Sequence, residues 1–326
     1  MPRAAIRRRA LAAALASAAM LSACTSSSGD AGAPKTPAVA PEAAQTTAAS
    51  AVGAVATSSL DATAAGAAAR EKAFVGAALQ SANAYAKTLP GRTAADKAAA
   101  ELSTTGVKVL AISRGGDAPQ QVLAQTTLKK TGAAVLVLLV GGQAGAPFKA
   151  AAVTPMLPEA KLDALDATTD GSAAVGDGAG LSAKPDDVVA AFADSVKYPT
   201  PTASKVLADD PLSQQLRQSA AAQSQALNNQ GAFTQEHDPK GIIGGLRLKD
   251  GKGAIVFAHL VRSDAIAMRS PVKLTPAKDL TLLTGIKQIT TEASLTSNEI
   301  IAIVIPASGP ARIVAASDQL VAGSGR

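Results

Sequence analysis

The chain has 326 residues, of which 47% are hydrophobic and only 2% aromatic, with no Trp, two Tyr and a single Cys. Its formal charge of +6 is scattered, without a concentrated basic face or aromatic platforms, which excludes nucleic acid as a partner; the aromatic shortage also excludes a sugar-stacking or aromatic-cage site. One cysteine makes neither an intramolecular disulfide nor a thiolate metal cluster, and no cofactor is expected.

The first nine residues carry Arg3, Arg7, Arg8 and Arg9 and no acid, and residues 10–20 run uninterrupted through small and aliphatic side chains. A basic n-region followed by an apolar h-region is a signal-peptide pattern. The apolar run is about half the roughly 20 residues that a spanning helix needs. Four of the positive charges lie in this leader, so the chain without it carries +2.

Leu21-Ser22-Ala23-Cys24 follows directly and resembles the lipobox of bacterial lipoproteins. The resemblance implies that Leu21, Ser22 and Ala23 are recognised by the signal peptidase, that residues 1–23 are removed, and that Cys24 carries acyl chains such as palmitate. Each buried methylene contributes about 0.8 kcal/mol, so two or three chains hold a protein at the cell membrane, here lipid-anchored on the extracytoplasmic face. An ordinary secretory signal would instead leave Cys24 as an unpaired, oxidisable thiol.

Residues 24–63 are dominated by Ala, Ser, Thr and Pro with almost no large apolar side chains, which reads as a disordered tether. Its typical reach is roughly 35 Å. From Ala64 to Leu89 the spacing of Phe74, Ala78, Ala82, Tyr85 and Leu89 predicts a helix stopped by Leu89-Pro90-Gly91, followed by a short helix over residues 94–102. The period then changes, and residues 107–114, 120–130, 133–140 and 147–156 read as strands. The continuous apolar run at 133–140 predicts a central strand buried on both faces.

Glycines and acids cluster at 166–184, which reads as a flexible linker between a first half (64–165) and a second (185–326). Pro185 with Asp186 and Asp187 opens a helix, and Asp210 caps another that Pro211 starts and Gly231 ends. Strands are expected over 241–249, 253–268, 272–283, 287–306 and 311–323, with Asp250-Gly251 making a tight hairpin turn. The fold class is therefore α+β: two halves, each with N-terminal helices followed by a curved antiparallel sheet, after a signal peptide and tether.

The runs "VLVLLVGGQAGAPFKAAAVTPMLP", "GAGLSAKPDDVVAAFADSVKYP" and "GGLRLKDGKGAIVFAHLVR" resemble an uncharacterised domain of unknown function found in actinobacterial secreted lipoproteins, over about residues 65–325. The order of helices and then sheet is similar to cystatin-like and nuclear-transport-factor-like folds, which implies a cone between helix and sheet able to hold a ligand; fold likeness does not assign the ligand.

Chemistry-bearing patterns are sparse. His237 and His259 are the two histidines, and no metal-ligand spacing surrounds them. His259 shares a strand face with Ile255, Phe257 and Val261, which predicts a core or pocket histidine and makes it the one candidate ligand-binding residue; His237 reads as a solvated loop residue. Lys130-Thr131-Gly132, Ser263-Asp264-Ala265 and Ser270-Pro271-Val272-Lys273 superficially match penicillin-binding enzymes, but in the wrong order and with Ala where Asn is required. Residues 176–180 lack the Lys-Ser or Lys-Thr of a phosphate loop, the acids at 166–177 lack EF-hand spacing, and Gly-x-Ser-x-Gly is absent. The expected function is a non-catalytic binding or interaction module at the cell envelope, for an envelope protein or a small apolar ligand. The alternative is a small cone-pocket enzyme using His259 or a nearby acid as general base.

Overall fold

In the computed structural model, which describes residues 35–117, 119–141 and 146–326, helices α1 (Pro41–Ser59), α2 (Ala64–Ala73), α3 (Gly76–Thr88) and α4 (Ala94–Ala100) precede strands β1 (Lys108–Ile112), β2 (Gln120–Thr127), β3 (Ala134–Gly141) and β4 (Lys149–Pro155). The second half runs α5 (Pro185–Val196), α6 (Pro211–Ala226), β5 (Gly231–Arg247), β6 (Gly253–Met268), α7 (Lys278–Thr284), β7 (Glu292–Pro306) and β8 (Arg312–Gly325). Each set of strands forms a four-stranded antiparallel meander, β1-β2-β3-β4 and β5-β6-β7-β8. This is the expected α+β arrangement, and bulges in both sheets bend their strands.

The tether reading fails over residues 41–59, which form α1. Pro41 sits at the first helical position and Glu42 in the first turn, both favourable to a helix N-terminus, and the Ala-rich body has high helix propensity. Ala44, Ala48, Val52 and Val55 make one buried stripe in the same core as the first sheet. Gln45 fixes the docking: its Nε2 donates to the Val107 carbonyl at 2.7 Å and its Oε1 accepts from the Val109 N–H at 3.1 Å, covering free backbone groups of edge strand β1. Small side chains hid the stripe from a reading that looks for large ones.

The helix expected over residues 64–89 divides in two. Phe74 and Val75 are extended; Phe74 bridges Ala150, and the Val75 N–H donates to the Ala150 carbonyl at 3.0 Å, so a strand edge competes successfully with the helix. Arg70, buried at the end of α2, donates to the carbonyls of Ser58 and Asp61 and to Asn83 Oδ1, joining α1, α2 and α3.

β3 is an inner strand buried on both faces, as its apolar run predicts. The second sheet separates two cores. On β6, Ile255 and Phe257 belong to the core shared with α1 and the first sheet, whereas Val256, Ala258 and Leu260 belong to a core under α5. β7 alternates in the same way, Ile300, Ala302 and Val304 against Ile301, Ile303 and Ile305, which is the two-residue period of a strand buried on both sides.

Residues 166–184 are not a free linker. Ser172 is fully buried and its N–H donates to the Ile112 carbonyl at 2.8 Å, while the Arg247 N–H donates to the Ala173 carbonyl at 2.8 Å and the Val175 N–H to the Gly245 carbonyl at 3.2 Å. The segment thus ties β1 to β5, the edge strands of the two sheets, and residues 35–326 form one compact unit.

Two strand expectations also change. Residues 278–284 form α7, with Asp279 in its first turn and Gly285 at φ 77° closing it, rather than part of a strand over 272–283. β5 starts ten residues earlier than expected, at Gly231, because its buried positions Phe233, Gln235 and His237 alternate with exposed Thr234, Glu236 and Asp238. The inward residues are partly polar, which disguised the alternation.

Candidate functional site

The space between α3 and the first sheet is under-filled because the side chains facing it are small. Val55 and Ala56 from α1, Ala78 and Ala82 from α3, Ala99 and Ala100 from α4, and Val135 and Val153 from β3 and β4 line a cleft of about 540 Å³. Phe74, Leu102, Leu128 and Ile300 complete its apolar wall, and Ser317, Asp318 and Gln319 of β8 form one side. Its polar features are few. Tyr85 Oη is buried there without a hydrogen-bond partner, and burial raises the phenol above its ordinary value, against the opposing influence of Arg92. The hydroxyl therefore stays a protonated donor. Arg92 stacks 4.5 Å above the Tyr85 ring and pairs with Asp279 at 2.7 Å.

A second cavity of about 370 Å³ lies on the opposite face of the second sheet, under α6. Its walls are Leu157, Phe192, Leu212, Leu216 and Ile301, and its polar lining includes Gln235, Arg262, Glu299 and Asp318. Strand register builds this cluster: His237 lies opposite Arg262 across β5 and β6, and Glu299 opposite Asp318 across β7 and β8. Arg262 Nη1 donates to Asp318 at 2.6 Å and to Glu299 at 3.4 Å, and Nε donates to Asp264 at 3.2 Å. His237 Nδ1 lies 2.6 Å from Glu299 Oε2.

Three carboxylates thus share one guanidinium. Burial raises Asp264 and Asp318 above the usual carboxylate range, the attraction of Arg262 opposing it. For Arg262 burial acts downward but is outweighed by Asp318, Asp264 and Glu299, so the guanidinium is held more firmly charged. Asp264 Oδ1 and His237 Nε2 are buried without hydrogen-bond partners.

The residues singled out in the sequence fall outside or beside these cavities. Leu21, Ser22, Ala23 and Cys24 lie outside the described residues. His259 is half-buried on β6, with Nε2 3.2 Å from Asn298 Oδ1; Asn298 Nδ2 in turn donates to Gln80 Oε1 at 3.2 Å. His237, expected in a solvated loop, has a side chain with no exposure and sits with its ring edge against Phe192. Lys130–Gly132 form the turn between β2 and β3, on a different sheet from Ser263 and Asp264. The sequence reading missed the Arg262 cluster altogether; the available signal was the alternation of Leu260, Arg262 and Asp264 along one strand face.

Among the described residues, no group of three or more His, Cys, Asp or Glu is arranged to hold a metal ion, and no helix is long and apolar enough to cross a membrane. Neither a curated relative nor a solved structure is significantly similar to the chain. Residues 35–325 match the family described as a domain of unknown function (DUF8094), and the chain belongs to that family.

Proposed function

We propose that the protein is a lipid-anchored module on the extracytoplasmic face of the cell membrane that binds a small, predominantly apolar molecule without transforming it. The cleft between α3 and the first sheet is the observation that carries the binding part of this reading: about 540 Å³, walled by Ala, Val, Leu, Ile and Phe, with one unpartnered phenolic donor. That size and composition suit a small ligand. The anchoring part rests on Leu21-Ser22-Ala23-Cys24 after a basic and apolar leader, and on the resemblance of three runs between residues 65 and 325 to actinobacterial secreted lipoproteins.

Ala82→Phe tests the binding site. A fluorescent apolar probe titrated into the purified protein should bind to the native cleft, and Ala82→Phe should weaken it about tenfold or more, because added ring atoms occupy the ligand's space. An unchanged affinity would reject the cleft as the site. Cys24→Ala should remove the acyl mass from the protein's N-terminal peptide. A second reading, a small enzyme with His259 as general base, draws on the half-buried imidazole and its Asn298 partner; loss of turnover in a correctly folded His259→Ala protein would favour it over simple binding.

A further inference from the structure

The apolar cleft and the charged cavity meet at the edge of the second sheet. Ser317 and Asp318 of β8 line both, and β8 is the last strand in the order of its sheet. On the facing side, Val153 and Pro155 line the cleft and Leu157 lines the charged cavity. A molecule lying in the cleft against β8 therefore meets Ser317, Asp318 and Gln319, of which Asp318 alone carries a charge.

The charge at this seam is not balanced. Among the described residues, Arg262 is the one cation lining the second cavity, and it is shared by Asp264, Glu299 and Asp318. His237 meets one of the three, Glu299, through Nδ1. Asp264 Oδ1 has no hydrogen-bond partner although its residue is 7% exposed, so the excess negative charge is not absorbed within the cluster. Asp318 remains reachable, with 43% of its side chain exposed. Arg92, which also lines the cleft, is already paired with Asp279, and Asp96 adds a further carboxylate to the lining.

A neutral apolar ligand would fill the cleft and leave this excess unanswered, and an anion would be repelled by it. We infer that the ligand is an amphiphilic cation, with an apolar chain or ring system in the cleft and a single ammonium or quaternary amine at the seam beside Asp318. This inference rests on the cleft being the binding site. Electrostatic complementarity then selects among apolar molecules of the same size.

The experiment compares three probes with one chain length, decyltrimethylammonium, 1-decanol and decyl sulfate, each titrated by calorimetry below its micelle concentration into purified protein spanning residues 35–326, which form one compact unit. The cation should bind about tenfold or more tighter than the alcohol, and the sulfate weakest. Asp318→Asn keeps an acceptor for Arg262 and should collapse the cation's advantage over decanol to about threefold or less. If Asp318→Asn disturbs the fold, Ser317→Lys, which places a cation at the seam, should weaken decyltrimethylammonium about tenfold more than it weakens decanol. Equal affinities for the three probes, or a cation advantage that survives both variants, would overturn the inference and leave the cleft reading standing. Binding of none of the probes would overturn both.

Discussion

At the scale of single residues, the charged cluster on β5, β6, β7 and β8 sets the pH response of the fold. Burial raises Asp264 and Asp318 above the values they have in the unfolded chain. Between the unfolded and folded values the folded state holds more protons, so stability falls as pH rises through that window and is regained on acidification. Asp318 is partly exposed, and solvent screens its share; Asp264, with 9% of its side chain exposed, carries more. Asp264→Asn retains an oxygen for Arg262 and removes the buried charge. Urea unfolding of the two proteins should show the variant at least as stable as the native protein near pH 7, with the native protein gaining relative to it as pH falls toward the ordinary carboxylate range. Asp209 behaves oppositely: bonds from Arg217 and Gln214 lower it, so its contribution is present above its unfolded value and lost as acid titrates it. A gap between the two proteins that does not change with pH would remove Asp264 from this account.

At the scale of elements, α1 is the sharpest case. A tether would be indifferent to its small side chains, whereas a docked helix is not. Val52 has no exposure, and Val52→Ala removes two buried carbons, which should cost about 2 kcal/mol in chemical denaturation. Val52→Asp should prevent α1 from docking and expose the face of the first sheet, read as increased binding of a hydrophobic dye. A silent Val52→Ala would restore the tether. β5 teaches a related lesson. Residues 232–238 alternate cleanly, but Gln235 and His237 occupy inward positions where an apolar side chain is the usual strand signal. They are tolerated because Gln235 donates to the Val196 carbonyl and His237 pairs with Glu299, partners that lie far away in the chain.

At the scale of the whole molecule, the two halves share a core. Leu246, Ile255, Phe257 and Ile300 from the second sheet pack in the same cluster as α1 and the first sheet, and the segment 172–175 is bonded to both sheets. Unfolding should therefore be a single cooperative transition. The two tyrosines, Tyr85 in the first half and Tyr198 in the second, provide the check. Single-reporter proteins, Tyr85→Phe and Tyr198→Phe, should give coincident fluorescence midpoints that also match far-UV circular dichroism. Two separated midpoints would show that the halves unfold independently.

What the sequence by itself determined is the local part of the fold. The unbroken apolar run of β3, the Asp210-Pro211 start of α6 and the division into helices before strands in each half are all written in side chains within a few residues of one another, where the i+2 and i+4 geometry of the backbone makes them legible. Only the tertiary structure decided the burial of α1, the break between α2 and α3, the ordering of residues 172–175, the pairing of Arg262 with three carboxylates, and the cleft itself. The physical reason is common to these. A small or polar side chain becomes a core residue only when a distant partner supplies the matching surface, hydrogen bond or charge, and a cavity is defined by what several remote side chains fail to fill.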